Sequence, residues 1–369
     1  MKYIWQNIAW PNFVYDSAVV NASLGSLERE KEKTDYAYSV IDRGTRNNLL
    51  AKNIAEDIVS SLSIEGEKID YESVYSSAAK HLDVAFMGDA KNSLYAETVY
   101  RVVSDALENH EKITRERLFD WNRNLFINKA GVKPKIIGAY RTSPEYVMKY
   151  HKMEGEVVYE AVSAETVPEE MDRLLEYINA DNGVNSFVKA AVASLWFVLI
   201  HPFEDGNGRI SRALADYIIS RDYGSVVHLF KISTGILRDR SSYYEKIQDV
   251  SSGDSMDITG WVVWFLDMVK NCIVQSRETL KKTISVTAFM KSLDPNEYNS
   301  REMSMLYRLS DGSFFGKLTR EKWVKLMKCS DAAAFRDIQH LVEKGFLTPT
   351  GENGKKAGYY FNPDVVLEQ

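Results

Sequence analysis

Cysteine is nearly missing from the 369 residues: only Cys272 and Cys329 occur. That excludes a disulfide framework and points to a reducing, cytoplasmic setting. The six histidines show no His-x-x-x-His spacing and no Cys-x-x-Cys accompanies them, so no zinc site is written in the chain. The opening Met1-Lys2-Tyr3-Ile4-Trp5-Gln6-Asn7 lacks the apolar core of a signal peptide. The longest apolar run, Ala190 to Ile200, is too short to span a bilayer and reads as a buried core helix, so no membrane partner is expected. Internal repeats, low-complexity tracts and long Pro/Gly/Ser linkers are absent as well. A net charge of −6 argues against a chain that coats nucleic acid. What remains, 45% hydrophobic and 27% charged residues, is the composition of a soluble globular protein long enough for two or three cores.

The informative segment is His201 to Arg212, His-Pro-Phe-Glu-Asp-Gly-Asn-Gly-Arg-Ile-Ser-Arg. Phe187, Ala190, Ala191, Leu195, Val198 and Leu199 before it fall at helical spacing, as do Ile210, Leu214 and Ile218 after it, with Gly224 as a C-cap. The spacing predicts a helix, a loop and a second helix that begins inside the motif. Gly206 and Gly208 permit the backbone angles that turn successive N–H groups toward one anion. The unpaired N–H groups and positive dipole end of the new helix face the same point. Arg209 and Arg212, three apart, share a face and lean back toward the loop with forks suited to phosphate oxygens. Asp205 is a hard oxygen ligand placed for Mg2+, Asn207 can donate to a phosphate oxygen, and His201 can take a proton from an attacking hydroxyl.

With every defining position filled, this stretch resembles the signature of the Fic family, whose members most often transfer AMP from ATP to a protein hydroxyl. The resemblance implies ATP and Mg2+ as cosubstrates, His201 as base, Asp205 at the metal, and Gly206, Asn207, Gly208, Arg209 and Arg212 at the phosphates. Upstream, Leu50, Ile54, Ile58 and Leu62 form an i, i+4 stripe that Gly66 ends. Glu65 lies at that C-terminus, where a carboxylate opposes the helix dipole by roughly 0.3–1 kcal/mol. Ser61-x-x-x-Glu65-Gly66 resembles the inhibitory motif of Fic proteins, in which the Glu pairs with the second signature arginine, here Arg212. That pairing would misplace the ATP γ-phosphate.

The rest of the chain is organised around these two segments. Residues 1–85 are expected to form an N-terminal module with the inhibitory helix, 86–282 the catalytic core, and 283–369 a winged-helix domain. The opening aromatics Tyr3, Trp5, Trp10, Phe13 and Tyr15 resemble the small domain that precedes the core in one group of bacterial Fic proteins. Pro134 to Tyr140 reads as strand-like. Two β-prone runs around Lys152-Met153-Glu154-Gly155 read as a hairpin, about 142–161, resembling the family's flap, which docks a target segment by strand addition. Tyr243 and Tyr244 open a helix resembling the segment at the base and ribose side of the nucleotide. Adjacent residues point about 100° apart, so one of the pair, Tyr244, is expected to face the nucleotide. Leu318–Met327 and Asp331–Glu343 read as a helix-turn-helix, and Phe346–Thr348 with Tyr359–Phe361 as a wing around Gly351–Gly358. Nine Lys/Arg against five Asp/Glu from Lys317 to Tyr360 leave an excess of four. The second of these helices carries Asp331, Arg336, Asp337 and His340 rather than a basic stripe, which leans toward a protein partner over DNA. The expectation is a mainly α protein: a Fic helical core with a β-hairpin flap, a helical inhibitory module and a C-terminal winged helix. The expected activity is AMP transfer from Mg-ATP to a Ser, Thr or Tyr hydroxyl, restrained by Glu65 on Arg212. Removal of AMP or another phosphate-group transfer on the same loop, and a DNA-binding regulator with a nucleotide-sensing core, stay open, as does a homodimer.

Overall fold

A computed structural model describes residues 3–84, 93–151, 154–253, 255–294, 296–310, 314, 316–352 and 357–366. Lys152 and Met153 of the expected hairpin turn, and 353–356 of the expected wing turn, lie outside them. Among the described residues, fourteen α-helices and two short antiparallel hairpins form in this order. They are α1 (Ser17–Ser39), α2 (Arg43–Ile64), α3 (Tyr71–His81), α4 (Leu94–Glu108), α5 (Arg115–Phe126), β1 (Tyr146–His151) and β2 (Glu154–Glu160). There follow α6 (Val167–Asn179), α7 (Ser186–Ile200), α8 (Asn207–Tyr223), α9 (Ile232–Arg238), α10 (Arg240–Ser251) and α11 (Thr259–Ser292). The last are α12 (Ser300–Ser310), α13 (Arg320–Met327), α14 (Asp331–Glu343), β3 (Leu347–Pro349) and β4 (Tyr359–Phe361). The fold is mainly α.

The chain divides into two compact units: Met1–Asp35, Asn53–Val74 and Asn92–Val274 form the first, and Tyr36–Lys52, Tyr75–Lys91 and Gln275–Gln369 the second. In the first, α7 packs on α8, with α4 against α8 and α6 against α7. Apolar residues lie all around α7, and nearly all of it is buried, as expected of a central helix. Trp10 and Phe13 stack edge-on against Trp196 of α7, and Trp5 donates its indole N–H to the Glu160 carbonyl at 2.7 Å.

Two differences from the sequence reading appear in this unit. Pro134 to Tyr140 is a loop, because side chains from elsewhere take its backbone groups: Glu204 accepts the Lys135 and Ile136 N–H groups, and Asn122 accepts that of Gly138. Gly138 sits at φ +72°, outside any strand. The helix that carries the Leu50–Leu62 stripe begins before it, at Arg43, with its Schellman end where Gly66 predicts it. There Gly66 (φ +76°) donates to Ser63 at 3.0 Å and Glu67 to Leu62 at 3.0 Å.

The second unit has a core of Trp323, Met305, Leu306, Leu318, Ile338, Leu341 and Phe346. Ser330 caps α14, accepting from Ala333 at 3.2 Å, and Gly345 (φ +81°) ends it. Beyond it, Leu347, Thr348 and Pro349 pair with Phe361, Tyr360 and Tyr359. α11 runs through the expected 282/283 boundary without a break.

Candidate active site

The site is built where α7 stops. His201 takes a left-handed conformation (φ 52°, ψ 59°), sparsely populated by a residue with a Cβ, and Pro202 prevents the helix from continuing. Such strain persists only where the surroundings impose it, and it concentrates at functional sites. His201 Nδ1 lies 3.2 Å from the Val198 carbonyl. A carbonyl only accepts, so Nδ1 carries the proton and Nε2 keeps its lone pair. Burial pushes the imidazole pKa down to about 4; the Val198 contact opposes this and the Arg141 charge adds to it. His201 is therefore neutral at pH 7 and able to accept a proton.

From His201 the loop folds on its own side chains. Asn207 accepts the Phe203 N–H at 2.9 Å and donates to the Phe203 carbonyl at 2.7 Å. The amide expected to meet a phosphate thus closes the loop, and Asn207 is buried. Asn122 donates to the Asp205 carbonyl at 3.1 Å, and Phe203 packs among Phe119, Tyr140 and Phe197. Gly206 adopts φ +90°, and a Cβ there would press on Leu125 and Phe126. α8 opens immediately after it.

Both arginines in the first turns of α8, Arg209 and Arg212, are buried and engaged by the residues at the end of α2. Arg212 donates through Nε to Ser61 Oγ at 3.0 Å, and through one terminal nitrogen to the Ser61 carbonyl at 2.8 Å and Glu65 Oε1 at 2.9 Å. Burial works against its charge, but Glu65, aided by Tyr243 and Tyr244, holds the guanidinium protonated more firmly than usual. Its other terminal nitrogen, and Arg209 Nε, are buried without a hydrogen-bond partner among the described residues. Arg209 reaches Glu67 Oε1 at 2.8 Å and Asp205 Oδ1 at 2.9 Å. Glu67 also accepts from Lys129 at 2.5 Å and Tyr95 at 2.8 Å. A Cβ on Gly208 would overlap Glu65 Oε1, so Glu65 occupies the face of the loop that the missing side chain opens.

A cavity of about 610 Å3 unites part of this set: Glu65, His201, Gly208, Tyr243 and Tyr244 line it, with Val147, Val158 and Tyr159 of the hairpin and Arg240, Gln248 and Ser251 of α10. Both tyrosines reach it, against the expectation of one. Tyr244 is exposed, while Tyr243 is buried and packs on Trp261 and Trp264. Asp205, exposed at the loop, together with Asn207 and Arg209, lies outside that lining. Among the described residues no group of three or more His, Cys, Asp or Glu could hold a metal ion on its own. Glu67 was readable from its place two residues past Glu65. Asn122, Arg141 and Lys129 carry no local signal, since their roles exist only in tertiary contacts.

A helix that ends on a strained histidine is followed by a glycine loop and two buried arginines at the start of the next helix. Residues 112–219 match the model of the Fic/DOC family, and residues 3–84 match a domain of unknown function, DUF4172. The chain carries a Fic domain over residues 112–219. A crystal structure of a Fic family protein from Desulfovibrio desulfuricans shares the fold with TM-score 0.53 and 19% identity, over 95% of this chain and 98% of that one. A Fic domain containing signaling protein from Bacteroides thetaiotaomicron gives TM-score 0.52 and 20% identity, over 70% and 96%. In sequence, the chain is 27% identical over 149 residues to the protein adenylyltransferases fic-1 of Caenorhabditis elegans and Caenorhabditis briggsae, 40% of its own length. It spans 26% of the length of these relatives.

Proposed function

We propose that this protein transfers AMP from Mg-ATP to a Ser, Thr or Tyr hydroxyl of a protein, and that Glu65 restrains the reaction by holding Arg212. The observation that carries the reading is the meeting of neutral His201, the Gly208 loop face and Glu65 around one cavity. In the step, the hydroxyl oxygen bonds to the α-phosphorus, the bond to the bridging oxygen breaks, pyrophosphate leaves, and the proton passes to His201 Nε2. The partnerless nitrogens of Arg209 and Arg212 fit an anion at the start of α8. Asp205 Oδ1 is engaged by Gly206 and Arg209, while Oδ2 takes no hydrogen bond among the described residues. One carboxylate oxygen beside substrate phosphates suits Mg2+, which usually keeps several waters. When bound, the ion would neutralise developing charge on the leaving pyrophosphate.

The same reading divides the chain into an inhibitory module (1–85), a catalytic core (86–282) and a winged helix (283–369). It gives the β1–β2 hairpin the docking of the target segment, and the winged helix a protein partner: Asp337 of α14 is tied to Arg301 at 2.7 Å, and no basic stripe runs along that helix. No described helix is long and apolar enough to cross a membrane. The test uses Glu65→Gly protein with ATP labelled in the α- or the γ-phosphate. Label retained from the α position alone supports AMP transfer. Retention from the γ position makes the enzyme a phosphoryl transferase, and retention from neither removes the transfer reading.

A further inference from the structure

The C-terminal end of α7 has every carbonyl accounted for, and most of the donors come from the hairpin region. A helix leaves its last four carbonyls without intrahelical partners, and buried ones must be satisfied. Here the Phe197 carbonyl accepts the His201 N–H at 3.0 Å, and the Val198 carbonyl accepts His201 Nδ1. The Leu199 carbonyl accepts the Tyr159 hydroxyl at 2.7 Å. Arg141 takes the next three: its guanidinium donates to Ile200 at 3.4 Å and His201 at 2.7 Å, and its backbone N–H to Pro202 at 2.9 Å.

Arg141 is only 2% exposed, and it makes no ion pair among the described residues. Its remaining donors go to the Ser143 carbonyl at 2.8 Å and the Val162 carbonyl at 2.5 Å, on either side of the hairpin. A buried guanidinium without a carboxylate is costly unless other negative charge compensates it. The Glu145 carboxylate, beyond ion-pair distance, and the negative dipole end of α7 supply that charge. The rigid fork bridges residues before the hairpin, after it, and at the helix end, which a point-charge ammonium cannot do.

We propose that Arg141, backed by Tyr159, is the positioning residue of His201: it fixes the strained helix end from which the imidazole is presented and ties it to the hairpin. Arg141 acts through the His201 and Ile200 carbonyls and touches no reacting atom. The inference rests on His201 as the base. Its chemical consequence is on the rate of proton acceptance, whereas in the proposed reading the nucleotide is held by Gly206–Gly208 and the start of α8, to which Arg141 donates no hydrogen bond among the described residues.

The experiment compares Arg141→Lys, Tyr159→Phe and His201→Ala, each in the full chain carrying Glu65→Gly. Self-labelling at saturating Mg-ATP, ATP affinity and thermal midpoint are measured for each. Arg141→Lys should lower the transfer rate by on the order of 100-fold, the cost of misplacing a catalytic group by about 1 Å. Its ATP affinity should stay within about two-fold, the split expected when only a transition-state contact is lost. Tyr159→Phe, which removes one hydroxyl and keeps the ring, should move transfer in the same direction by less. Folded variants that transfer at the parent rate, or lose ATP affinity in step with transfer, overturn the proposal. If Arg141→Lys does not fold, Tyr159→Phe decides alone by the same criteria. A His201→Ala protein that still transfers would sink the base assignment; a silent His201→Ala beside unaffected Arg141 and Tyr159 variants would sink only the positioning role.

Discussion

Arg212 donates to Glu65 across 2.9 Å, joining the first turns of α8 to the end of α2. Two residues further on, Glu67 takes Arg209 in the same manner. The Schellman end of α2 thus delivers one carboxylate to each arginine of the signature. Glu65 sits at the negative end of a helix dipole, where a carboxylate is disfavoured. Arg212, itself buried, compensates that placement.

Replacing Glu67 by Gln should destabilise the protein by about 1.5–3 kcal/mol, the range for hydrogen bonds to charged groups. Burial opposes its ionisation, but Arg209, Lys129 and Tyr95 outweigh it and hold the carboxyl below its ordinary value of 4.5. A depressed carboxylate pKa adds stability above the unfolded value, and that stability is lost as pH falls through the folded one. The difference in urea stability between wild type and Glu67→Gln should therefore be full at pH 7 and shrink once the pH drops below about 4.5. A constant difference down to pH 3 would contradict the assigned charge state.

His201→Ala should abolish transfer and leave ATP bound. In the proposed reading the base acts on the incoming hydroxyl while the loop and arginines hold the nucleotide, so the loss should be on the order of 100- to 10,000-fold in rate. Titration calorimetry with ATP beside the labelling assay checks both halves.

Acid should weaken the fold in a second window, set by buried neutral imidazoles. Burial drives His201 down to about 4 and His228 down to about 3, from an ordinary 6.5. Between those values the unfolded chain binds protons that the folded one does not, so stability falls as the pH drops below about 6.5. His228→Gln should flatten that slope by up to about 1.4 kcal/mol per pH unit. Parallel urea-midpoint profiles of the two proteins would show that His228 titrates normally.

Much of the site was legible because it is local. The His201–Arg212 order, the helices around it, and Gly66 as the end of α2 all follow from spacing and the conformational needs of glycine. The Glu65–Arg212 contact, 147 residues apart, came only through family resemblance. Arg141 and Asn122 were unreadable for the same reason: their partners are backbone carbonyls that no side-chain pattern announces. Pro134 to Tyr140 misled because apolar, β-prone residues there meet Glu204 and Asn122, which take the amides a neighbouring strand would have used. Asn207 carried a plausible phosphate donor in sequence, but closing the five-residue turn from Phe203 used it first.

The most direct measurement is the rate of α-labelled AMP incorporation into protein by wild type, Glu65→Gly and Glu65→Gly/Arg212→Ala, at saturating Mg-ATP with itself and its own lysate as acceptors. Freeing Arg212 should raise the rate by about tenfold for each 1.4 kcal/mol of misplacement relieved. The double variant should lose that gain, because the released arginine is the agent. A Glu65→Gly protein that is folded, binds ATP and transfers no faster than wild type would contradict the account.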